Sequence, residues 1–172
     1  MTDLTIRPAT PADMDDIARL CWAYRDLLLT REAGLPPLTA TFYPTDTYQA
    51  LINDLPRIHA RPTGDILLAE IDNTAVGCAM YYPIHLDDVT ELKRVYVDPS
   101  ARGLGAGRQL IEHAMTCARA DGYSRMVLDT MAPLTEAIAL YHRLGFQPCA
   151  PYYEEPVPPH FLPHLRCFEH PL

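Results

Sequence analysis

In TPADMDDIARLCWAYRDLLL, apolar residues fall at Met14, Ile17, Cys21, Tyr24 and Leu28, so the steps alternate between three and four. That period predicts a helix with one face on a core. Thr10 as N-cap, Pro11 in the first turn and Asp13 three residues after the cap mark its start. A second stripe, Tyr48, Leu51, Ile52 and Leu55, predicts a shorter helix in TDTYQALINDL, and the Gly- and Pro-bearing REAGLPPLTATFYP between them reads as a loop. The pattern then becomes that of strands. ILLAEI and AVGCAMYYPI are separated by DNT, a hairpin signal, and ELKRVYV follows as a third strand closed by Asp98 and Pro99. Within it Leu92, Val95 and Val97 are spaced three and then two, which a regular pleat cannot present on one face. A bulge near Lys93 and Arg94 is therefore expected. Beyond it come a helix carrying Leu110, Ile111, Ala114, Met115 and Ala118, a buried strand RMVLDT, and a helix PLTEAIALYHRLG from Pro133 to a stop at Gly145. FQPCAPYY and LRCFEH read as two more strands around a proline-rich loop. The order predicts a mixed α/β fold, one central sheet flanked by helices, in a single domain over residues 1–172.

Charge narrows the partners. With 14 basic against 22 acidic residues the chain carries a net charge of -8, which argues against a nucleic-acid groove. No apolar run approaches the roughly 20 residues of a membrane span, and MTDLTIRP lacks the pattern of a secretory leader, so no membrane partner and a cytoplasmic location are expected. The five cysteines are scattered without a C-x-x-C pair, which predicts reduced, mostly buried thiols and no metal.

RGLGAG, residues 102–107, places three glycines at the mouth of the next helix. A Walker loop would need Gly-Lys-Ser/Thr where Gly107 is followed by Arg108 and Gln109, and a G-x-G-x-x-G fingerprint would need glycine at Arg108 or Leu110. Two readings remain. A ligand-free turn uses one glycine or two; a pyrophosphate cradle, built from free N–H groups at a helix start, uses all three and is bracketed by Arg102 and Arg108.

Arg102-x-x-Gly105-x-Gly107, after a strand ending in VYVDP and opening a long helix, resembles the acyl-CoA motif of the GNAT superfamily of N-acyltransferases. The resemblance covers nearly the whole chain: IRPATPADMDDIARL is similar to that family's opening strand and helix, ELKRVYVDP to its central strand, and AIALYHRLGF to its last helix and following strand. It implies a GNAT-type sheet, acetyl-CoA as co-substrate, and transfer of its acyl group to an amine by direct attack. Arg102, Gly103, Leu104, Gly105, Ala106, Gly107 and Arg108 would hold the pyrophosphate. Main-chain groups of Val95 and Val97, beside Tyr96, would meet the thioester carbonyl and the pantetheine chain.

An amine of pKa about 10.4 must lose a proton first, which at pH 7 costs roughly 4.6 kcal/mol. By the same resemblance Glu91 is the candidate base, directly or through water; the plainer reading is a strand-end carboxylate paired with Lys93 or Arg94. Tyr141 matches the family's general acid for the CoA thiolate, against a plainer role in packing. Where many members carry a CoA-contacting asparagine, this chain has Leu134. The acceptor site falls to the variable parts, which hold Tyr24, Arg25, Phe42, Tyr43, Tyr81, Tyr82, His85, Tyr152, Tyr153 and Glu154; Tyr24, Tyr43, Tyr82 and Tyr153 are the candidate substrate contacts. Aromatic walls with a few charges suit a small amine or amino acid. A protein amine as acceptor and a non-catalytic acyl-CoA sensor are the alternatives, and the resemblance allows a homodimer.

Overall fold

The structure is a computed structural model that describes residues 3–172; Met1 and Thr2, part of the stretch read for a leader, lie outside it. Seven strands form one sheet in the order β1-β2-β3-β4-β5-β7-β6. They are β1 (Leu4–Pro8), β2 (Asp65–Ile71), β3 (Thr74–Pro83), β4 (Val89–Val97), β5 (Arg125–Met131), β6 (Gln147–Pro148) and β7 (Leu165–Pro171). All neighbours are antiparallel except β4 and β5, which run parallel and are joined by a helical crossover.

Each face of the sheet carries its own core, because successive side chains of a strand point to opposite sides. Leu67 and Ala69 of β2 pack with Leu110, Ile111 and Ala114 of α4 (Ala106–Ala120) and with Tyr141 of α5 (Thr135–Arg143). Ile66 and Leu68, one position over, pack with Ile17, Leu20 and Cys21 of α1 (Met14–Arg31) and with Tyr48, Ile52 and Leu55 of α3 (Thr45–Ile58). The helical stripes read from sequence are the faces that are buried.

Three expectations need correction. The segment read as a loop contains a short helix, α2 (Leu38–Phe42). Glu32 caps it, its carboxylate accepting from the Thr39 N–H at 2.7 Å and the Thr39 hydroxyl at 2.8 Å; five residues are too few for a periodic signal. FQPCAPYY contributes only the two residues of β6, since Pro148 and Pro151 have no N–H for a ladder. The last helix begins at Thr135 rather than Pro133, with Leu134 buried at its N-cap.

Candidate active site

β4 builds the centre of the site by two departures from a regular strand. On one side it pairs with β5 only through Val89, Thr90 and Glu91, so beyond Glu91 the two strands part. On the other, Cys78 faces Tyr96 while Met80 faces Lys93, so β4 carries one extra residue between them. Arg94 takes up the bulge at φ +50°. Leu92, Val95 and Val97 consequently share the α4 face, as their spacing requires, while Lys93 and Arg94 both open onto the α1–α3 face. Tyr96 lies with the second core, its ring 6.3 Å from that of Tyr24.

The glycine loop leads from β4 into α4. Gly103 and Gly105 adopt φ +79° and +87°, a region that glycine enters without strain, and Gly105 is the N-cap. Gly107 is helical; a Cβ there would touch Leu140 Cδ2 at 3.4 Å and Val97 Cγ2 at 3.7 Å, so its smallness lets α5 and β4 approach. No side chain caps α4, and the Gln109 N–H is the first to find the turn above, on the Gly105 carbonyl at 3.0 Å. The preceding N–H groups, Gly105 through Arg108, are left as free donors at the positive end of the helix dipole. Arg102 and Leu104 are exposed and Ala106 is buried. Arg102 donates from Nε to the Val97 carbonyl at 3.4 Å, whereas Arg108 pairs with Glu112 along its own helix at 2.9 Å.

On the α1–α3 face, where β4 and β5 part, lies a cavity of about 430 Å³. Tyr24, Tyr43, Tyr82 and Tyr153 all line it, as does Phe42. The other variable-region residues do other work. Tyr81 belongs to the α4-side core and donates to Asp121 at 2.6 Å; Arg25 donates to the Tyr43 carbonyl at 2.8 Å and the Thr45 hydroxyl at 2.7 Å; His85 and Glu154 are exposed.

A chain of charges and hydroxyls joins the strands beside the cavity. Glu91 accepts from the Tyr82 hydroxyl at 2.6 Å and the Tyr152 hydroxyl at 2.7 Å, and Lys93 Nζ lies 3.0 Å from it. The same ammonium donates to Asp129 at 3.0 Å, whose other oxygen accepts from Tyr153 at 3.0 Å. Glu91 is thus buried and triply engaged, unlike a strand-end surface carboxylate, and it meets the cavity through Tyr82 and Lys93, which line it. Burial works against ionising Asp129, but the Lys93 ammonium and the two hydrogen bonds outweigh it and hold the carboxyl below its ordinary range. Burial likewise works against the Lys93 charge, and the two carboxylates reverse it. Tyr141 packs between Phe146 and Phe168, with centroids 5.8 and 6.1 Å away, and burial raises its hydroxyl further above physiological pH, which keeps it protonated.

Four cavity residues escaped the sequence reading: His59, Lys93 and Arg94 as more than packing or pairing, and Asp129. The available signals were a lone carboxylate inside the apolar RMVLDT and two adjacent cations inside ELKRVYV. Among the described residues no group of three or more His, Cys, Asp or Glu could hold a metal ion, and no helix is long and apolar enough to cross a membrane.

Residues 25–146 match the acetyltransferase (GNAT) family. Over 149 residues the chain is 36% identical to an uncharacterized N-acetyltransferase of Schizosaccharomyces pombe, covering 86% of this chain and 85% of that protein. The fold superposes on an acetyltransferase of the GNAT family from Staphylococcus aureus with a TM-score of 0.74 at 14% identity, over 98% and 99% of the two chains. It superposes on the PaiA N-acetyltransferase of Thermoplasma acidophilum, solved in complex with coenzyme A, with a TM-score of 0.70 at 19% identity over 99% of each. The chain belongs to the GNAT family and is an acyl-CoA-dependent N-acyltransferase.

Proposed function

We propose that the protein transfers an acetyl group from acetyl-CoA to the primary amine of a small molecule or amino acid, by direct attack on the thioester. The cavity of about 430 Å³ where β4 leaves β5 carries this reading. It falls within the roughly 300–1,000 Å³ usual for small-molecule sites, and its walls are the first three helices and the sheet.

The start of α4 fits the pyrophosphate. Free N–H groups from Gly105 to Arg108, the left-handed backbone at Gly103 and Gly105, and the absence of a capping side chain leave an anion seat that the protein does not fill itself. Arg102, Leu104 and Arg108 edge it, and the Arg108 guanidinium would have to leave Glu112 to add its charge. CoA supplies the activated acyl group. Val95 and Val97, on the part of β4 that β5 does not pair and on either side of Tyr96, offer main-chain groups to it, and a donor aimed at the thioester oxygen would stabilise the negative charge formed on attack.

Glu91 receives the amine's proton through the Tyr82 hydroxyl or a water, because Tyr82 and Lys93 stand between it and the cavity. Tyr141, protonated and with its ring fixed by two phenylalanines, delivers a proton to the CoA thiolate. Replacing it with Phe is expected to lower kcat by about 10- to 100-fold while KM for the amine stays within about threefold, since the missing proton transfer belongs to the transition state.

Thiol release from acetyl-CoA, measured across small amines and across peptides with free N-termini or lysines, tests the acceptor class. Turnover concentrated on small amines is expected. Peptides used as well as the best small amine would overturn it.

A further inference from the structure

Arg94 is 8% exposed, yet no carboxylate is paired with it, and the two carboxylates of the neighbouring network, Glu91 and Asp129, are both taken by Lys93. Its Nε has no hydrogen-bond partner, and its guanidinium carbon lies 5.5 Å from the centre of the Tyr43 ring. A buried cation with no directly paired carboxylate is costly, and the protein holds this one on a backbone of φ +50°, which favours glycine or asparagine. The bulge itself needs no guanidinium. Two penalties therefore converge on one residue that lines the cavity.

A second orphan lines the same cavity. His59 is 3% exposed, and its Nδ1 lies 3.0 Å from the Tyr81 carbonyl, which can only accept; Nδ1 therefore carries the proton and Nε2 keeps a bare lone pair. That Nε2 has no partner either. The cavity so holds one unmatched cation and one unmatched acceptor, with apolar surface from Leu28, Leu38, Met131 and Leu165 around them.

We propose that the acceptor is an amino-acid-like zwitterion whose carboxylate docks on Arg94, with His59 Nε2 accepting a hydrogen bond from its amine or a neighbouring N–H. This rests on the reading of the cavity as the acceptor site. A guanidinium fork matches a carboxylate in geometry. The charges fit as well: Lys93 and Arg94 balance Glu91 and Asp129, so a ligand with one positive and one negative end enters without leaving an excess. A polyamine would meet Arg94 with like charge, and a phosphate dianion would exceed the single unpaired cation.

The test is a set of matched pairs in the thiol-release assay: leucine against 3-methylbutylamine and leucinamide, phenylalanine against phenethylamine and phenylalaninamide. The carboxylates are expected to be used with kcat/KM at least 100-fold above their partners. Arg94→Gln should collapse that preference to under tenfold through KM, with acetyl-CoA binding by titration unchanged, and Arg94→Lys should restore part of it. Equal use of acids and decarboxylated amines by the wild type would overturn the carboxylate anchor and leave the small-amine reading standing. A preference undiminished in Arg94→Gln would also overturn it. If Arg94→Gln does not fold, the wild-type pairs and Arg94→Lys decide. No turnover of any pair member, with peptides acetylated instead, would overturn both readings.

Discussion

The two halves of the site are built by opposite means. The donor seat proposed above is seven consecutive residues, mostly exposed, which offer free main-chain N–H groups set by two left-handed glycines. The cavity draws on α1, α2, α3, four strands and the segment that carries Tyr153, and its polar groups are buried or half-buried side chains that depend on one another. A main-chain site is sensitive to backbone conformation and indifferent to most side chains. A buried charge network is the reverse, because removing one member leaves its partners uncompensated.

Lys93→Met is the severest test of that contrast. It would leave Glu91 and Asp129 facing each other without the ammonium that now lies 3.0 Å from each. Breaking a fully buried pair from one side costs about 3 to 5 kcal/mol; Lys93 and Asp129 are each 21% exposed while Glu91 is buried, so the loss should approach the lower end of that range and denaturant midpoints should fall clearly. A variant as stable as the wild type would mean the network is solvated and the cavity is not the charge-balanced chamber described above.

His59 gives the next effect. Its imidazole is pushed down from an ordinary 6.5 to about 4, first by burial, and then by Arg94 and Lys93, against which the Tyr81 carbonyl works in the other direction. The Tyr82 ring, 5.0 Å away edge-on, completes its surroundings. With a folded pKa below the unfolded one, the unfolded chain binds more protons between pH 6.5 and 4, so the stability contributed above pH 6.5 is lost as pH falls through that window. The full span corresponds to about 3 kcal/mol at 1.36 kcal/mol per unit. Unfolding free energies of wild type and His59→Gln, compared at pH 7 and pH 4.5, should show a smaller acid loss in the variant; identical losses would mean His59 is protonated in the fold.

What could be read from the sequence follows the same division. The turn and helix start at RGLGAG were legible because left-handed backbone and helix starts are local, and the bulge was legible because Leu92, Val95 and Val97 break the period of two. The four cavity tyrosines were recognisable as a set. The network was not, because the Lys93–Asp129 contact joins positions 36 apart and nothing local marks Asp129 as its partner. His59 was invisible for the same reason: its significance lies in the carbonyl that fixes its tautomer, on a strand 22 residues away. The length of β6 and the helix inside the predicted loop were lost to prolines and to a cap from Glu32, which carry no periodicity.

Gly105 measures the donor half. A Cβ at that position would meet only Gln109 Nε2 at 3.9 Å, so space is not the obstacle; φ +87° is. Gly105→Val should lose about 1–2 kcal/mol of stability to left-handed strain and on the order of 100-fold in acetyl-CoA affinity, as charge-assisted donors swing out of line. Gly105→Asn, which tolerates that backbone, should keep affinity within about tenfold. If Val bound as well as glycine, the helix start would not be the phosphate seat.

Arg108 should give the smallest effect. It is exposed and already paired with Glu112 at 2.9 Å, so any pull on a phosphate must first be paid out of that contact. Exposed pairs of this kind are worth about 0.2–1 kcal/mol, so Arg108→Ala should weaken acetyl-CoA binding only about two- to fivefold, and Glu112→Gln, by releasing the guanidinium, should strengthen it by a similar or smaller factor. Both shifts should fade by 1 M salt, where the screening length is about 3 Å, while the Gly105→Val defect should persist. Were Arg108→Ala instead as damaging as Gly105→Val and equally resistant to salt, the donor seat would depend on a particular side chain just as the cavity does, and the distinction between a main-chain site and a side-chain site would not hold in this protein.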